Sequence, residues 1–206
     1  MKVALTLGGF FIATMSNAVV LIGNYPQTND GTQAADVDTL RNKALGFIMP
    51  NSDYFLQSVK LRLEFTAAWT NNLPVLTLRA EGATATSTGA TLETLTGPGG
   101  YQAGTINDYI FTSPTNFLLE ANTKYYIHLA GSGDAGINWK ASSPAVTPTG
   151  MATHSGSLFT TNGGTSFTNS TILNTYEIEV NPVPEPATLA ALGLGGLALL
   201  RRRRKA

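Results

Sequence analysis

The chain has 206 residues, room for one domain of ordinary size once its two apolar ends are set aside. Charged residues make up 13% of it, and the stretch from Val19 to Val183 carries seven basic against twelve acidic side chains. That balance excludes a nucleic-acid partner, which needs a basic footprint, and the absence of cysteine excludes a disulfide framework, a thiolate metal site and a cysteine nucleophile.

The first element is a leader. Met1-Lys2 opens positively, Val3 to Met15 is uncharged, and Ser16-Asn17-Ala18 places small residues at −3 and −1 of a cut after Ala18. This pattern predicts an N-terminal signal helix over residues 1–18, removed on secretion. The competing reading is a buried first element of the domain.

From residue 19 to 181 the pattern is period two, punctuated by Gly, Pro, Asn and Ser. Ser58 to Phe65 is the clearest case: Val59, Leu61, Leu63 and Phe65 alternate with Lys60, Arg62 and Glu64, as in a half-buried antiparallel strand. Shorter runs predict strands at Val20 to Gly23, Ala44 to Ile48, Pro74 to Ala80, Tyr109 to Thr112, Thr123 to Ala130, Gly136 to Ala141 and Asn174 to Val180. Eight or nine short strands without βαβ alternation predict an all-β fold, an antiparallel, jelly-roll-like β-sandwich. Residues 142–170 are too weakly patterned to count strands.

Within that body no catalytic, cofactor-binding or metal-binding residues are assigned. Asp36 and Asp38, with Asn29 and Asp30 nearby, offer the hard oxygens that Ca²⁺ takes, but without EF-hand spacing they read as an acidic loop. Trp69, between two strands, is the candidate sugar-stacking platform; Trp139, in phase with Ile137, is expected in the core. His128 shares a strand face with Tyr126 and is expected to face solvent or a sheet edge, whereas His154 falls in a Gly/Ser loop. Neither histidine stands beside a Gly-x-Ser-x-Gly elbow, so no hydrolase is read here. Glu177 and Glu179 read as the solvated face of the last strand, and the six threonines between Gly82 and Gly97 as a solvated hairpin edge.

Several segments together resemble a known module. They are Val20-Leu21-Ile22-Gly23-Asn24, Lys43-Ala44-Leu45-Gly46-Phe47, the run Tyr54 to Leu63, and Leu119 to Leu129. They look like the choice-of-anchor R domain, which occurs on surface proteins with interchangeable anchors. The resemblance implies a jelly-roll-like fold and a surface location, with no catalytic residues and no ligand.

The last element is a tail over residues 182–206. Pro184-Glu185-Pro186 cannot propagate helix or strand and is expected to be extended. Ala187 to Leu200 is uncharged and predicts a short single transmembrane helix of about 21 Å, below the ~30 Å hydrocarbon core of a bilayer. Arg201, Arg202, Arg203, Arg204 and Lys205 would stop and orient it, with snorkelling to lengthen its reach. Motif, apolar stretch and basic end in this order resemble the PEP-CTERM sorting signal. The resemblance implies an exosortase as processing partner, an inner-membrane precursor, and delivery to the cell surface or extracellular matrix. The expected function is therefore a non-enzymatic envelope or matrix protein; the alternative is a carbohydrate-binding module for exopolysaccharide.

Overall fold

The alternation between Ser58 and Phe65 does build a strand, and that strand is the axis of the molecule. The computed structural model describes residues 17–30, 34–70 and 72–184, so the expected signal helix (residues 1–16 of it) and transmembrane helix lie outside the described residues. Among the described residues there is no helix. Strands β1 Val19–Gly23, β2 Ala34–Val37, β3 Asn42–Ile48, β4 Tyr54–Phe65 and β5 Pro74–Glu81 are followed by β6 Thr88–Thr94, β7 Thr105–Thr112 and β8 Leu118–Leu119. Then come β9 Lys124–Gly131, β10 Ile137–Lys140, β11 Thr149–Gly150, β12 Thr153–Thr160, β13 Thr168–Asn169 and β14 Tyr176–Pro182.

These strands form two antiparallel sheets. In the first, β14 and β10 share one edge of β4, pairing with Tyr54 to Leu61 and with Leu63 to Phe65, while β7 and β8 take the other edge. β1 and β11 extend this sheet beyond β14, and β2 extends it beyond β10. The second sheet runs β13-β12-β3-β9-β5-β6. Alternate side chains of both sheets meet between them: Val59, Leu61, Leu63, Ile137, Trp139 and Ile178 from one, Leu45, Phe47, Leu76, Leu78, Ile127 and Leu129 from the other, all buried in one cluster. Trp139 is fully buried and donates its indole N–H to Thr175 O at 2.9 Å, so its polar atom is satisfied inside the core.

A second, smaller apolar cluster lies on the opposite face of the second sheet, where Ala44, Tyr126 and Leu158 are covered by Phe167. It corrects one expectation. His128 does share a face with Tyr126, but that face is covered, and His128 is 3% exposed with its ring edge-on to Phe167 at 5.9 Å. His154 also departs from its reading: it lies in strand β12, opposite Phe47, not in a loop.

Three of the longer strands were not legible as strands. β2 and β6 lie at sheet edges, where one row of side chains meets water and apolar alternation is not required. β12 carries a bulge between His154 and Gly156 that breaks its period, and Gly156 adopts φ 117° there. β14 runs to Pro182, one residue past the expected domain edge, and Pro182 pairs with Tyr54.

Candidate functional site

On the face of β3 that looks toward the other sheet, Lys43, Leu45 and Phe47 follow one another at period two. Leu45 and Phe47 enter the core; Lys43, at the start of the strand, is 1% exposed and sits where the sheets part. There the edge strand β2, the β12–β13 hairpin and residues 170–172 enclose a groove of about 400 Å³. Its lining includes Asp36, Arg41, Asn42, Lys43, Phe159, Asn169, Ser170 and Thr171. Phe159 is the direct cross-strand partner of Lys43, so ring and amine share one face, and Phe159 is 40% exposed.

The charges around this groove are unequal. Arg41 binds Asp38 through Nε at 2.6 Å and Asp36 through Nη1 at 2.6 Å, so both carboxylates serve one guanidinium. Burial works against the Asp38 anion, yet the backbone N–H groups of Arg41 (2.6 Å) and Leu40 (2.8 Å) and the Arg41 side chain together hold its carboxyl below the usual range. The Lys43 Nζ donates to Ser170 Oγ at 2.5 Å and to Ile172 O at 3.1 Å, both neutral acceptors, and it makes no ion pair among the described residues. Burial pulls its amine down to about 8, so at neutral pH it remains mostly an ammonium. An ammonium has three donors, and two are used.

The residues singled out from sequence are distributed differently. Asp30 is held by the fork of Arg62 at 2.7 and 2.8 Å, and the Asn29 amide is engaged with the Ser143 backbone, so neither joins Asp36 and Asp38. Among the described residues no group of three or more Asp, Glu or His is placed so that it could hold a metal ion. Glu177 and Glu179 lie on the outer face of β14, bound to Lys60 and to Ser58 Oγ (3.0 Å). Trp69 is half buried, with its ring edge-on to Phe65 at 5.2 Å and its indole N–H given to Asn72 O. It caps one end of the core and does not line the groove. The exposed ring beside the groove is Phe159, which the sequence reading passed over; the lysine standing in phase with Leu45 and Phe47 was the signal that could have found the place.

The two ends of the domain leave it side by side. Ala18 is exposed one residue before β1, and Val19 pairs with Val180, so the expected cleavage site and the last strand emerge at the same end. Val183 and Pro184 follow β14 outside the sheets, and Pro184 is exposed. Asp36 is level with Asn138 and Glu64, ten residues along β4 from the Tyr54–Pro182 pair, so groove and exit stand about 33 Å apart at ~3.3 Å per residue. Residues 182–205 match the PEP-CTERM protein-sorting motif. Pro184, Glu185 and Pro186 supply its short motif and Arg201 to Lys205 its basic end. A PEP-CTERM motif is a substrate signal for an exosortase and implies export, anchoring at the membrane before processing, and then sorting to the cell surface. The motif spans only the tail, and Glu185 onward lies outside the described residues. No curated protein matches the chain.

Proposed function

We propose that this chain is a non-enzymatic envelope or extracellular-matrix protein: a choice-of-anchor R-like sandwich carried out by residues 1–18 and held through residues 187–205 until an exosortase acts at Pro184-Glu185-Pro186. The observation that carries the reading is the PEP-CTERM match beginning where β14 ends, with Pro184 already clear of the sheets. A protease that reads a short peptide needs it extended, and flanking prolines enforce that. The test is to express Glu185→Ala in a host that has an exosortase, then fractionate and immunoblot an internal tag. Full-length precursor should accumulate in the inner membrane, whereas deletion of residues 201–205 should let precursor leak through for want of a stop. Maturation of Glu185→Ala at the wild-type rate would reduce the tail to a plain anchor.

The second reading, a carbohydrate-binding module for exopolysaccharide, gains support from an exposed ring beside a groove. That support comes from Phe159, with Asn169 and Thr171 as hydrogen-bonding neighbours. A groove of about 400 Å³ falls within the ~300–1,000 Å³ of small-molecule sites. Its position away from the tail exit leaves it open to the exterior while the precursor is still membrane-held.

A further inference from the structure

We propose that the groove between β2 and the β12–β13 hairpin takes an acidic sugar, with the Lys43 ammonium holding the sugar carboxylate and the Phe159 ring stacked on the sugar face. This rests on the saccharide reading and adds the charge of the ligand. An ammonium that is 1% exposed and bound only to neutral oxygens is expensive to keep, because no counter-charge offsets the water it has lost. A structural lysine at such a place is normally paired. Arg41, two residues earlier, shows how this fold pairs a cation, with Asp36 and Asp38 both turned to it.

Lys43 lines the groove with one donor and its charge unmatched, so an anion arriving there finds a ready partner already stripped of water. The remaining lining selects the kind of anion. Asp36, already paired with Arg41, leaves Lys43 as the unpaired charge of the lining and keeps carboxylate lone pairs that accept hydroxyl hydrogen bonds. Asn169 and Thr171 offer further hydroxyl partners, and Phe159, opposite Lys43 in register, gives a flat apolar face. A carboxylate, several hydroxyls and a face of C–H groups are together the chemistry of a uronic acid.

The test titrates the full chain, solubilised in detergent, with galacturonic acid trimer and with the methyl ester of that trimer, which has the same shape without the charge. The acid should bind about 10-fold to 100-fold tighter than the ester, the range of a hydrogen bond to a charged group. Lys43→Met should erase that preference without lowering the melting temperature, since an apolar isostere replaces an unpaired buried charge, and Phe159→Ala should weaken both ligands. Equal binding of acid and ester by the wild-type chain would overturn the inference while leaving the saccharide reading intact. A preference that survives Lys43→Met would also overturn it. Binding of neither trimer would overturn both.

Discussion

His128 shows what a covered outer face does to a side chain that titrates near neutrality. Burial, and then the Arg79 guanidinium, pushes its imidazole down to about 3, and Nε2 has no hydrogen-bond partner among the described residues. Unfolding returns the ring to a value near 6.5, so below that pH the unfolded chain takes a proton that the folded chain refuses. Stability should therefore fall as pH drops from about 6.5 toward 3, at up to ~1.4 kcal/mol per pH unit. His154, lowered by burial and then by the Lys43 charge, adds to the same trend, while the carboxylates Asp30 and Asp38, already held low, contribute only at more acid pH. Urea melts between pH 5 and 7 should show a shallower slope for His128→Leu than for the wild type; an unchanged slope would mean the ring is not sheltered. Gly136 is a second residue fixed by its surroundings. It adopts φ 98°, and a Cβ there would lie 2.7 Å from Trp69 Cα. Gly136→Ala should cost about 1–3 kcal/mol and loosen Trp69, visible as a red-shifted tryptophan emission.

Among the elements, β4 is the one on which the others depend. Val59 and Leu61 are wholly buried, and each sits between partners on two sides, Ile178 and Phe111 for Val59, Tyr176 and Tyr109 for Leu61. Val59→Asp or Leu61→Asp should abolish the cooperative melt, because a buried unpaired carboxylate costs about 3–5 kcal/mol out of a typical total of 5–15. A protease-resistant product from either variant would show that face to be misassigned. β4 also explains how far strands can be read. Its alternation is clear from Ser58 onward but not before, because a bulge between Leu56 and Ser58 changes the phase, so that Leu56 and Val59, three apart, both enter the core. The Thr-rich edge β6 and the bulged β12 were unreadable for related reasons: one lacks apolar residues to alternate, the other lacks a constant period.

For the whole molecule, core and tail are separable, since β14 delivers its last buried residue, Val180, before the sorting motif begins. A chain ending after Pro184 should keep its melting temperature within a few degrees, by circular dichroism, while escaping all tail processing; loss of its cooperative transition would make the tail part of the fold. Composition and order along the chain were enough to determine the all-β class, the central strand, the buried Trp139 and the sorting tail. Each of these rests on a run of neighbouring residues whose pattern is local. The groove is different. Lys43, Phe159 and Asp36 come from β3, β12 and β2, more than a hundred residues apart at the extremes, and only strand pairing and the parting of the sheets bring them together. The burial of His128 depends likewise on Phe167 folding over its face, and the withdrawal of Trp69 on Phe65 and Gly136. A side chain's surroundings in a sandwich are set by strands distant in sequence, so period two tells which face a residue takes but not what lies over that face.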